Sequence, residues 1–158
     1  MKALSVIQPW PWAMIHQGKR VENRTWFTHY RGPLAIHASS TRLPLYQFPF
    51  VLPDDSWSPL RGDLVYGAIV AICRLVDCTQ QAKLIPDEQQ IWCDLGISTW
   101  WWLLAELRPL PVPIRCKGAR GLFDVPDVDG VPVAPPGARA STPAPELTAE
   151  VAEPAERA

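Results

Sequence analysis

Proline is the feature that most limits what this chain can fold into. Eighteen prolines are spread over 158 residues. Each fixes φ and removes a backbone N–H, so each disrupts a helix interior or a central strand. Long helices are therefore not expected. Short strands joined by turns, with one or two short helices, are what such a chain can build. Hydrophobic residues make up 47% and charged residues 20%, ordinary proportions for one domain with a buried core. Eight tryptophans either fill that core or supply flat stacking surfaces.

The segments between prolines suggest their own structure. Ala3–Ile7 is a brief apolar strand. Trp10–Gln17 suits a short helix, with Pro9 and Pro11 in its first turn and Gly18 as its stop. Val21–Phe27 alternates, so Glu22, Arg24 and Trp26 share one face of an extended segment. Leu34–Ala38 follows the turn at Gly32 and Pro33, and Leu64–Asp77 is apolar on both faces until Arg74, as in a filled barrel. Ala82–Leu95 is polar, with room for a helical turn. Trp100–Leu107, Val112–Cys116 and Gly121–Val125 complete the strands, with Pro109, Pro111 and Pro113 punctuating the connection after Leu107. The expected class is α+β, mainly β: a small closed barrel of five or six strands with one or two short helices. Thr41–Leu60, rich in proline and aromatics, reads as an irregular loop.

Charge is distributed unevenly. Residues 1–126 carry 13 Lys and Arg against 10 Asp and Glu; residues 127–158 carry 2 against 6. Within residues 1–42, six basic residues face Glu22 alone. That basic segment fits either an anionic partner or a solvated surface. From Gly130 to Ala158 there is no aromatic residue, and Pro, Ala and Glu dominate. Such a stretch cannot bury enough apolar surface to offset its ordering entropy. The expected division is a domain over 1–126 and a disordered tail over 127–158.

Other classes are disfavoured. The longest apolar stretches, such as Gly67–Cys73, are too short to span a bilayer. Lys2 is not followed by an apolar run and a small-residue cleavage site, so a cytoplasmic chain with no membrane partner is expected. Cys73, Cys78, Cys93 and Cys116 form no C-x-x-C pair and no finger-like spacing with histidine, so reduced thiols and no metal are expected. No cofactor motif is present. No Ser or Cys nucleophile stands next to an obvious base in the sequence. His37, alternating with Leu34 and Ile36, reads as a hydrogen-bonded barrel histidine rather than a catalyst.

Two blocks carry a resemblance. The first runs Leu4–Ser5–Val6–Ile7–Gln8–Pro9–Trp10, then Gly18–Lys19–Arg20–Val21–Glu22–Asn23–Arg24–Thr25–Trp26, to Arg31–Gly32–Pro33–Leu34. The second is Leu107–Arg108–Pro109–Leu110 followed by Lys117–Gly118–Ala119–Arg120–Gly121–Leu122–Phe123. Together they resemble the ASCH domain family of the PUA-like superfamily, over roughly Lys2 to Pro126. The resemblance implies a PUA-like barrel around a cleft, and a partner that is RNA, DNA or a free modified nucleoside, with RNA ahead of DNA. One branch of the family contains an amidohydrolase acting on an acylated cytidine, and other members are reported as ribonucleases. Aligned on Arg24, the hydrolase branch's lysine falls on Lys19, and its threonine position holds Glu22. Its distant glutamate has no placed counterpart, Asp87 and Glu88 being candidates.

The residues themselves suit a base pocket. Lys19, Arg24 and Arg31 can pair with phosphate or a base carbonyl. Glu22 can accept from an exocyclic amine, and Trp26 can stack on a base. Trp10, Lys117 and Arg120 are weaker candidates for the same surface. Equally, Glu22 and Arg24 can form a structural ion pair while Trp26 belongs to the core. Three functions stay open: a nucleic-acid or modified-base binding module, a hydrolase with Lys19 as general base and Glu22 orienting water or substrate, and a protein-interaction module. Oligomeric state is not legible.

Overall fold

A computed structural model of the chain describes residues 1–43, 64–96 and 99–128. The loop expected over Thr41–Leu60 and the tail expected over 127–158 therefore lie almost wholly outside the described residues. Of the tail, Asp127 and Val128 are described. Asp127 accepts a hydrogen bond from the Met1 amino group at 2.8 Å, and Val128 packs on a small apolar cluster.

Among the described residues, six strands form one sheet. They are β1 (Lys2–Val6), β2 (Val21–Arg24), β3 (Gly32–Ala38), β4 (Ala68–Thr79), β5 (Trp100–Arg115) and β6 (Leu122–Asp124), in the order β2-β5-β4-β3-β1-β6. β1 and β3 run parallel, and every other pair is antiparallel. The sheet curls into a half-barrel. Among the described residues no ladder joins β2 to β6, so the closed barrel expected from sequence is open along that seam. One α-helix, α1 (Trp10–His16), connects β1 to β2. It starts with proline in its first turn and is followed by Gly18 at φ +69°, a left-handed backbone that glycine adopts without strain. Two 3-10 helices, Ala82–Leu84 and Asp87–Trp92, fill the β4–β5 connection.

Alternation along the strands divides the core. Leu4, Val6, Leu34, Ile36, Leu75 and the fully buried Trp102 share the main cluster, with Met14 of α1 packed among them. Ala3, Ala35, Ile69 and Ile72 form a smaller cluster on the other face. A third cluster joins Ala13, Val21 and Trp101 to Ile85 and Trp92 of the β4–β5 connection.

β5 departs from expectation. It is one strand of 16 residues that runs through Pro109, Pro111 and Pro113. Its ladder with β2 ends at Leu103, so beyond that point β4 is its one ladder partner among the described residues. Prolines at alternate positions can leave their missing donors on the unpaired side, the one place a strand tolerates them.

Candidate functional site

The Gly18–Trp26 segment is built from two opposed environments. Its first half is clasped by the β4–β5 connection. Gln89 accepts from the Arg20 backbone N–H at 2.7 Å and donates to the Gly18 carbonyl at 3.0 Å, and the Asn23 side chain donates to the Trp92 carbonyl at 2.8 Å. Lys19 lies beneath this clasp. Its amine donates to the Val21 carbonyl, sits 3.4 Å from Glu22 Oε2, and lies 5.7 Å from the centre of the Trp10 ring. Lys19 and Glu22 are 1% and 5% exposed, which decides their role: they are interior groups. Burial pushes the Lys19 amine below its ordinary value, and the adjoining Glu22 carboxylate works against that shift.

Glu22 also holds Arg24, through Oε1 at 3.1 Å from Nη2. The same Nη2 donates to the Ser5 carbonyl at 2.7 Å. Arg24 Nε is buried and has no hydrogen-bond partner among the described residues. The guanidinium is thus anchored through Nη2, while its Nε donor is left unmatched.

Arg24 marks the edge of a cleft of about 850 Å³. One wall is Arg24 and Trp26; the other is the turn Lys117–Gly121, with Ser5 and His37 between them and Ser39–Thr41 along the rim. Trp26 is half-buried, set edge-on against Trp102 at 4.6 Å between ring centres, and its backbone carbonyl accepts from the Trp102 indole N–H at 3.3 Å. It is therefore both a core contact and a cleft wall. Lys117 and Arg120 are exposed. Among the described residues no carboxylate lines the cleft, and its charged and aromatic lining includes three cations and one indole.

The structure thus brings together Arg24, Trp26, Lys117 and Arg120, and leaves the other candidates outside the cleft. Lys19 and Glu22 sit behind Arg24 rather than in the cleft. Trp10 packs on two core clusters. Arg31 pairs with Asp77 at 2.9 Å and does not line the cleft. Asp87 and Glu88 are exposed and also off the cleft. His37 is hydrogen-bonded as expected, to Ser5 and to the Cys116 carbonyl, each at 3.1 Å. Its contact with Ser5 corrects the reading that no serine stands beside a base. The two residues are 32 apart in the chain and meet only because β1 and β3 pair in parallel register.

The cysteines are free, and burial pushes the Cys73 thiol up to about 12, leaving it protonated and unreactive at neutral pH. Among the described residues no three His, Cys, Asp or Glu side chains gather as metal ligands. No helix there is long and apolar enough to cross a membrane.

Comparison with known proteins agrees with this frame. The profile of the ASCH domain matches residues 4–113. Human (Homo sapiens) activating signal cointegrator 1 is 34% identical over 97 residues, which is 55% of this chain and 16% of that protein. The chain therefore spans less than a fifth of that relative's length. The matched residues supply α1, five of the six strands and the Arg24–Trp26 wall of the cleft, and on that match the chain belongs to the ASCH domain family.

Proposed function

We propose that the cleft binds single-stranded nucleic acid, RNA in preference to DNA. One base lies against Trp26, and neighbouring phosphates meet Arg24, Lys117 and Arg120. The observation that carries this reading is the lining itself: three cations and a part-exposed indole share one cleft, and no carboxylate is among its described lining residues. Basic side chains along a backbone path, together with an aromatic stacking surface, are what sequence-tolerant single-strand binders use. Membership of the PUA-like ASCH family supports RNA as the preferred polymer. The hydroxyls of Ser39, Ser40 and Thr41 on the rim suit a ribose 2′-OH, which both donates and accepts.

Two features of binding follow. Affinity falls with salt, because phosphate neutralisation releases counterions. Sequence preference is slight, because every base has a face to stack. A fluorescence-anisotropy titration of the full chain against short RNA and DNA oligonucleotides, at low and moderate salt, tests this. Salt-sensitive binding that Arg24→Ala weakens is the expected result. Absence of binding at low salt, or binding indifferent to salt, rejects it.

A further inference from the structure

We propose that Ser5 is a nucleophile with His37 as its base, and that the chain hydrolyses a carboxylic ester held in the cleft. The cations of the cleft suit an ester carried on an anionic, nucleotide-like group. That part rests on the binding reading above; the reactivity of Ser5 does not.

The geometry begins with the sheet. Ser5 of β1 and His37 of β3 are register partners in a parallel ladder, so their side chains emerge together on one face. Ser5 Oγ lies 3.1 Å from His37 Nδ1, and His37 Nε2 lies 3.1 Å from the Cys116 carbonyl oxygen. A carbonyl only accepts, so Nε2 carries the ring proton. In the neutral imidazole Nδ1 is then the acceptor, and the Ser5 hydroxyl donates to it. A hydroxyl on a base, and the base oriented by a third group, is the arrangement that activates serine nucleophiles. His37 is 1% exposed, so the ring is held in place, while the half-buried Ser5 lines the cleft.

Two neighbours are fitted to this pair. A side-chain carbon at Gly118 would fall 2.5 Å from His37 Cε1, 2.6 Å from Ser5 Oγ and 2.8 Å from His37 Nδ1. Only glycine lets the backbone of that turn lie against the hydroxyl. Arg24 donates to the backbone carbonyl of Ser5 at 2.7 Å, which ties that residue to the cleft wall.

The reaction balances with water alone. Ser5 Oγ attacks the ester carbonyl carbon while its proton passes to His37 Nδ1. The tetrahedral oxyanion collapses and expels the alkoxide, which takes the proton from Nδ1 and leaves as the alcohol. Water then adds to the acyl–Ser5 carbonyl and gives its proton to Nδ1. Collapse releases the carboxylic acid, and Oγ recovers the proton.

The test uses the full chain and p-nitrophenyl acetate, with nitrophenol release followed alongside mass mapping of acetylated peptides. The expected results are an acetyl group on Ser5, loss of release in a Ser5→Ala variant with an unchanged circular-dichroism spectrum, and a fall of about a hundredfold in acylation for His37→Gln. Labelling of wild-type Ser5 by a fluorophosphonate reads the same reactivity without any variant. Acetyl groups on lysines or cysteines alone, no label on Ser5, or wild-type release by Ser5→Ala would each overturn the proposal. The triad would then be a structural clip tying the Cys116 turn to the sheet. Neither probe carries a nucleotide, so this result and the oligonucleotide titration can fail independently.

Discussion

Lys19 and Arg24 sit on the same segment and flank the same carboxylate, yet their surroundings are opposite. Lys19 is 3.4 Å from one oxygen of Glu22, with a side chain 2% exposed; Arg24 is 3.1 Å from the other, with a side chain 22% exposed. The β4–β5 connection closes over the lysine, whereas among the described residues nothing comparable closes over the arginine, which opens onto the cleft. A cation enclosed with its counter-charge bears on stability, because desolvation is balanced only while the pair is intact. A cation that is anchored through Nη2 and still partly in solvent remains available to a ligand. A charged motif in sequence therefore does not name its users; burial divides them.

The comparison breaks most sharply at Glu22. Glu22→Ala leaves the Lys19 ammonium enclosed without its counter-charge, and urea denaturation should record a loss of about 3–5 kcal/mol. A loss below about 1 kcal/mol, the range of exposed pairs, would mean the pair is not enclosed as described. Lys19 also sets a pH dependence. Burial lowers its folded value below 10.5, so above that lowered value the unfolded chain binds the extra proton. Stability should then rise as pH climbs from the folded value toward 10.5 and level off beyond it. Lys19→Met removes this rise, visible as the pH trend in the difference between the two urea midpoints.

Effects on binding belong to the other side. Trp26→Ala should weaken oligonucleotide binding by about 1–3 kcal/mol, the worth of one stacked base. Lys19→Met should leave affinity within about twofold, well under the 1.4 kcal/mol that marks a tenfold change. If the lysine variant lost affinity as the tryptophan variant does, the division between the two environments would fail. Smaller still, Lys117→Ala and Arg120→Ala should each reduce the slope of log affinity against log salt by about 0.7 for a single strand. Least of all, Arg31→Ala removes a part-exposed pair with Asp77 worth roughly 0.2–1 kcal/mol of stability, and should not change affinity.

Much of the fold was legible because its signals are local. Pro11 and Gly18 bracket α1, and alternation marks β1 and β3. The prolines of β5 misled because their effect depends on a neighbour: a strand paired on one side only tolerates them, and sequence does not reveal where β2 ends. Arg24, Trp26, Lys117 and Arg120, named from motif and chemistry, line one cleft. Lys19 and Glu22 lie in the interior instead, because the β4–β5 connection covers that half of the segment, and neither motif nor alternation shows which residues a distant connection will cover. The Ser5–His37 contact left no trace in either segment, since a parallel register between β1 and β3 creates it.

The central claim is that ligand meets the Trp26 and Lys117–Arg120 walls of one cleft. Photocrosslinking of a thiouridine-substituted single-stranded RNA to the full chain, with the linked peptides mapped by mass spectrometry, tests this most directly. Links at Trp26 and within the Lys117–Gly121 turn are predicted, falling away as salt is raised. Links concentrated at the Arg31–Asp77 edge, or in the groove that Pro11 and Trp12 of α1 line with Pro109, Pro111 and Pro113 of β5, would contradict it.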